Sequence, residues 1–290
     1  MKSIYLLAIL LFPFFSACGS NDSPPQPDPE QPNDNNSGFV PSGYSLVWSD
    51  EFNDTSNGLP NGDEWWYEIG NNGWGNNEPE YYVHGFLGTD TVAKIKGGML
   101  TITAFKLAQP IVAPSGNADI ISVRMNTSKS WQYGYFEMRA MLPGGKGTWP
   151  AFWMMPKNYT SWPKDGEIDI MEYVGYRPDV AQASIHCQAY NGAAGNNKTG
   201  THAAPGAERN FYTYGLQWTK DSITAFINGV EYFNYPYDGT NNHDTWPFNA
   251  PFYLKLNLAI GGNWGGQQGI DPNIFPARYV IDYVRVYQSK

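Results

Sequence analysis

Gly134-Tyr135-Phe136-Glu137-Met138-Arg139-Ala140-Met141-Leu142 reads with a period of two. Phe136, Met138, Ala140 and Leu142 fall on one side of an extended chain, and Tyr135, Glu137, Arg139 and Met141 fall on the other. Leu100 to Phe105 (LTITAF) behaves in the same way. Ile223 to Phe233 carries Asn228-Gly229 at its centre, a strong hairpin signal because both residues tolerate positive φ. The chain has no long helical stripe and no internal repeat of roughly 20–50 residues. Many strands separated by Gly, Pro and Asn turns predict an all-β fold, a sandwich or a barrel.

The 290 residues begin with a segment of different character. Lys2 supplies a positive start, and Ile4 to Phe15 is an apolar stretch shorter than the ~20 residues a spanning helix needs. Ser16 and Ala17 lead into Cys18, an arrangement that resembles a bacterial lipobox; an ordinary secretory peptide cut nearby is the alternative. Residues 1–17 are therefore expected to be an export signal, with Cys18 lipidated. Residues 18–43 (SNDSPPQPDPEQPNDNNSG and beyond) are rich in Pro, Asn and Asp and bury too little to offset ordering entropy, so they predict a disordered tether. The protein is then expected to be exported and lipid-anchored to the bacterial outer membrane, on the cell surface. Residues 44–290 suit one large β domain, which needs no disulfide staples at this size. Of the two cysteines, Cys187 has no partner once Cys18 is set aside.

The formal net charge is −9 and there is no basic run, which excludes nucleic acid and acidic polymers as natural partners and favours a neutral one. The chain carries 11 Trp and 20 Tyr. Half of these rings are needed for a β core; the rest can stack on the apolar faces of sugars while keeping a polar edge wet.

Asp165-Gly166-Glu167-Ile168-Asp169-Ile170-Met171-Glu172-Tyr173 is the stretch that carries chemistry. In a strand Glu167 and Asp169 share a face while Ile168 and Ile170 point into the core. A strict period of two would then send Glu172 into the core, an expensive place for a charge. One extra residue, a β-bulge near Ile170 and Met171, returns Glu172 to the face of the other two acids. Carboxylates gathered on one face repel, so at least one is expected to keep its proton to an unusually high pH. Cleavage of a glycosidic bond requires that pairing of an ionised carboxylate with a protonated one. A solvated acidic strand or a calcium site are the bland alternatives.

At this point the chain resembles glycoside hydrolase family 16, and within it the laminarinase-like endo-β-1,3-glucanases. The resemblance rests on WSDEF (48–52), NNEPEYY (76–82), ISVRMNT (121–127), YGYFEMRAMLP (133–143), GTWPAFWMMP (147–156), GEIDIMEYVG (166–175), LNLAIGGNWGG (256–266) and DYVRVY (282–287). It implies a concanavalin-like jelly-roll sandwich of two curved antiparallel sheets with an open cleft. It also implies a retaining endo-hydrolase of β-1,3- or mixed-linkage β-1,3/1,4-glucan, acting as a monomer with no cofactor for catalysis. Carried over by position, Glu167 is the nucleophile, Glu172 the general acid/base, and Asp169 the residue that hydrogen-bonds and orients the nucleophile. Met171 matches the bulged form of the motif in laminarinase-like members.

Trp149 and Trp153, four apart, share a strand face that is expected to be the cleft floor, and Trp162 is placed to stack on a nearby sugar. By family position Asn77 and Arg124 bind substrate. His186 falls near the acid/base or is a satisfied core histidine, and Trp264 either flanks the cleft or packs in the core. Pro79-Glu80 stands where Leu-Gln is common, and Phe211-Tyr212 where Phe-His is common; both leave the linkage preference open. Asp282 shares a strict-period face with Val280, Val284 and Val286, a place for a charge only if it has a partner. The resemblance implies that partner to be a structural calcium held by Glu51, a carbonyl near Gly98, and Asp282. An endo-galactanase of the same family, a transglycosylase and a non-catalytic lectin-like protein remain as alternatives.

Overall fold

The alternating run 134–142 becomes the strand Gly134–Met141 in the interior of a ten-stranded sheet. The computed structural model describes residues 38–54 and 58–290, which belong to one compact unit, 34–290. The expected export segment, Cys18 and most of the expected tether lie outside the described residues. No helix among the described residues is long and apolar enough to cross a membrane.

Two sheets make the body of the molecule. The ten-stranded sheet runs Val230–Pro236, Ser222–Ile227, Tyr212–Trp218, Gly134–Met141, Ala277–Ser289, Leu100–Ile111, Ala118–Ser122, Tyr81–Tyr82, with Tyr44–Asp50 and Ala93–Ile95 joining beside the path. The seven-stranded sheet runs Lys198–Ala203, Val180–His186, Glu167–Tyr173, Thr148–Pro156, Phe252–Ile260, Arg124–Thr127, Trp65–Glu68, all antiparallel. One apolar cluster lies between them. The ten-stranded sheet contributes Phe136, Met138, Ala140, Leu216 and Val284, and the seven-stranded sheet contributes Phe152, Met154, Ile168, Leu254 and Leu256. That is the expected sandwich. The Asn228-Gly229 hairpin forms with both residues at positive φ, 47° and 76°.

Both sheets use a bulge to handle a charge. Trp153 pairs with Asp169 while Phe152 pairs with Met171, and on the other side Ser184 pairs with Asp169 while Gln182 pairs with Glu172. The strand therefore holds one residue more than either neighbour at Ile170–Met171. Ile168, Ile170 and Met171 are all fully buried, and Glu172 returns to the face of Glu167 and Asp169. The second bulge corrects an expectation. Arg139 pairs with Tyr283 and Ala140 with Ile281, leaving Asp282 as the extra residue. Tyr279 and Ile281 before it, and Val284 and Val286 after it, enter the core. Asp282 thus does not share the face of Val284 and Val286.

The extra residue of the acid strand is itself core. Met171→Ala is expected to cost about 2–5 kcal/mol, because it empties a packed site. Denaturant unfolding measures this, and a change within ~0.5 kcal/mol would contradict the packing described.

Candidate active site

The outer face of the seven-stranded sheet collects the polar side chains that its inner face rejects. In Thr148–Pro156 the order is Trp149, Ala151, Trp153 outward against Pro150, Phe152, Met154 inward; Phe152 and Met154 are fully buried. In Phe252–Ile260 Tyr253, Lys255 and Asn257 face outward while Leu254, Leu256 and Leu258 fill the core. The bulge brings Glu167, Asp169 and Glu172 onto this same surface.

Each acid meets a different donor. Trp162 Nε1 donates to Glu167 Oε2 at 3.1 Å, and Trp149 Nε1 donates to Glu172 Oε1 at 3.1 Å. His186 Nε2 lies 3.1 Å from Asp169 Oδ2 and 3.8 Å from Glu167 Oε1. The contact with Asp169 is close but not aligned as a straight hydrogen bond, so Oδ2 has no well-directed donor within the protein. His186 Nε2 is thus within 4 Å of both acids. Trp162 also packs on His186, ring centroids 5.8 Å apart.

The two glutamates titrate unequally. Burial first, then the Asp169 charge, raises Glu172 well above the usual carboxylate range. The same two causes push Glu167 up only to about 7, with Arg124 opposing them at Glu167 and not among the causes at Glu172. Water reaches the 17 % of the Glu167 side chain that stays exposed and tempers that rise. Glu172 is therefore the group that holds a proton and Glu167 the group that gives one up.

For His186, burial disfavours the charged ring while Asp169, Glu167 and Glu172 favour it, a balance that pushes it up to about 9. The loop after the strand imposes an opposite demand. Gly192 N–H donates to His186 Nδ1 at 3.0 Å. A protonated Nδ1 would set two N–H groups against each other. The geometry fits a neutral ring with its proton on Nε2, facing the acids.

The remaining expected binding residues gather around these acids. Trp264 packs edge-on against Trp149, centroids 5.5 Å apart, so it flanks the site. Asn77, exposed and at φ 54°, donates to Asn263 Oδ1 at 2.8 Å and ties the 73–78 turn to the Trp264 loop. It sits on the rim. Arg124 lies between two rings, 4.9 Å from Trp74 and 4.8 Å from Trp153, with its guanidinium on Glu68. Trp153 Nε1 is anchored on Asn257 Oδ1 at 2.7 Å.

Solved structures and curated proteins resemble this chain over most of its length. The family model described as glycosyl hydrolases family 16 matches residues 80–285. A beta-glucanase of Rhodothermus marinus is 42 % identical over 255 residues, covering 84 % of this chain and 85 % of that protein. The X-ray structure of the laminarinase from Rhodothermus marinus superposes with a TM-score of 0.77, covering 84 % of this chain and 97 % of that one. SCLam, a non-specific endo-β-1,3(4)-glucanase, superposes at 0.81 with 42 % identity, covering 87 % and 93 %. The chain belongs to glycosyl hydrolases family 16. Its fold is the jelly-roll sandwich of that family.

Several residues of this family 16 site escape a linear reading. Lys255 Nζ, 1 % exposed, contacts Glu68 at 2.8 Å and Asn126 at 2.5 Å, and it lies 4.9 Å from Trp153 and 5.2 Å from Tyr253. Burial, then Arg124, lowers its pKa to about 7. The alternation Tyr253, Lys255, Asn257 within an apolar run was the available signal. Glu78 and Glu80 are buried below the rim, with Tyr82 donating to Glu78 at 2.7 Å. Burial, then the Glu78 charge, holds the Glu80 proton well above the usual range. A carboxylic acid here can stand where glutamine is common, because its neutral form also carries a donor and an acceptor.

The side chains of the expected calcium ligands are engaged by arginines. Arg285 grips Glu51 through both oxygens at 2.9 and 2.8 Å, and Arg139 holds Asp282 at 2.8 Å. Gly98 sits in the Lys96–Met99 turn at φ 74°. Arginines thus hold both oxygens of Glu51 and Oδ2 of Asp282, and calcium here would share these carboxylates with them. The three-residue group that could hold a metal among the described residues is Glu167, Asp169 and His186, where the Nε2 proton stands in the way.

Nitrogen-15 spectra of His186 near pH 7 should show a neutral ring protonated on Nε2. A doubly protonated ring at that pH would mean that the carboxylates outweigh the Gly192 amide.

Proposed function

We propose that this family 16 enzyme cleaves β-1,3- or mixed-linkage β-1,3/1,4-glucan within the chain and with retention. The observation that carries the proposal is the unequal pair Glu167 and Glu172 on one strand face, each hydrogen-bonded to its own tryptophan. The names of the relatives, beta-glucanase and endo-β-1,3(4)-glucanase, support the substrate class.

In the first step the Glu167 carboxylate attacks the anomeric carbon, the glycosidic C–O bond breaks, and the Glu172 proton passes to the departing oxygen. Glu172, now ionised, takes a proton from water; that oxygen attacks the anomeric carbon and releases Glu167. Asp169 and His186 keep Glu167 oriented between the two displacements. The Nε2–H facing the acids stabilises the ionised form without adding a full charge beside Glu172. Trp149 supplies one wall, and Trp153, with Arg124 against its ring, supplies the floor.

Glu167→Gln should abolish release of oligosaccharides from laminarin and cereal mixed-linkage glucan. Glu172→Gln should lower kcat by roughly 10²- to 10⁴-fold. Products from agarose or a mucin glycan alone, with the same variants inactive, would keep the chemistry and move the enzyme to the endo-galactanases. Activity needs Glu167 ionised and Glu172 protonated, so rate against pH is a bell. Trp149 lowers the Glu172 pKa. Trp149→Phe should therefore move the alkaline limb to higher pH and leave the acid limb in place; a shift of that limb towards acid would contradict the assignment.

For location, the sequence of residues 1–43 supports export and lipid anchoring through Cys18 at the outer membrane, with the enzyme held out on its tether. Cys18→Ser should move the enzyme from the membrane fraction to the soluble fraction. Protease treatment of intact cells should remove the native enzyme, and full protection would place it on the periplasmic side.

A further inference from the structure

Trp66 is 43 % exposed although its neighbour Trp65 is buried in the core. It lies on Trp65–Glu68, the edge strand of the seven-stranded sheet farthest from His186. The register places it in one line with the catalytic acids. Asp169 pairs with Trp153, Trp153 with Lys255, Lys255 with Asn126, and Asn126 with Trp66. Directly paired residues share a sheet face, so this row runs across the cleft floor from an acid to an exposed indole. Four strand spacings separate its ends, roughly 19 Å. Tyr253 stands beside Trp66, ring centroids 6.1 Å apart and tilted by 48°.

The floor between Trp153 and Trp66 is polar: Lys255, Asn126 and Glu68 occupy it. A protein partner would find two adjoining rings bordered by ion pairs rather than a continuous apolar patch. A sugar chain is suited to that pattern, since its ring faces stack on indole and its hydroxyls bond to charged and amide groups. We propose that Trp66, with Tyr253 at its side, is a distal platform that binds a sugar ring of the glucan several units away from the bond being cut. The proposal rests on the β-glucan reading above and adds to it a residue that makes the enzyme favour long chains. Trp65–Glu68 ends the seven-stranded sheet, so a polysaccharide lying along the row can run past this platform.

Kinetics of native enzyme, Trp66→Ala and Trp66→Tyr on a ladder of β-glucan oligosaccharides and on the polymer test it. Trp66→Ala should raise KM for the polymer and for oligosaccharides long enough to span the row by roughly three- to tenfold. On the shortest oligosaccharide that is cleaved, kcat and KM should match the native values. Trp66→Tyr should recover most of the loss, because a phenol ring still offers a face. An equal loss on short and long substrates, or no loss on any, overturns the platform while native cleavage of the glucans stands. Native enzyme inactive on every glucan overturns the underlying substrate reading.

Discussion

Everything at this site follows from one odd-numbered spacing. Glu167 and Asp169 are two apart, but Glu172 is three beyond Asp169, and a strand repeats its faces every second residue. The chain accommodates the mismatch by bulging at Ile170–Met171, against one residue fewer on each neighbouring strand. The two bulged side chains are apolar and buried, which fixes the bulge in place because straightening it would expose them or bury Glu172. The acid face is held by the core beneath it.

Gathering acids requires donors that do not all carry charge. Two indole N–H groups and a histidine held neutral by a backbone amide face the three carboxylates. The basic side chains are kept to one side, where Arg124 and Lys255 are packed among Trp74, Trp153 and Tyr253 and meet Glu68. This asymmetry separates the glutamates: the nearer cation opposes the rise of Glu167, and Glu172 lacks that relief. A pair of identical side chains acquires two roles from position alone.

The ten-stranded sheet solves its own charge problem differently. Asp282 is bulged out of the core-facing series and meets Arg139, while Glu51 meets Arg285. Two arginines lie against the two carboxylates at which calcium was expected. On the same sheet Glu137 is fully buried and takes hydrogen bonds from Tyr283 and Tyr135. In each case the charge is met by a side chain from a paired or neighbouring strand position.

Period and composition determined much of this protein without any structure: the all-β class, the two faces of Gly134–Leu142, the Asn228-Gly229 hairpin, the shared face of Trp149 and Trp153, and the need for a bulge beside Met171. These are legible because a strand's faces and a tight turn's φ values depend on residues adjacent in the chain. The bulge at Asp282 was not legible, since Val284 and Val286 fit a strict alternation equally well until their partners across the sheet are known. Only the tertiary structure decided which distant groups meet. Lys255 and Glu68 are 187 residues apart, Asn77 and Asn263 are 186 apart, and Trp66 reaches the line of Asp169 through three intervening strands. Strand order and register set those encounters, and both depend on how whole faces pack against each other rather than on any local stretch of residues.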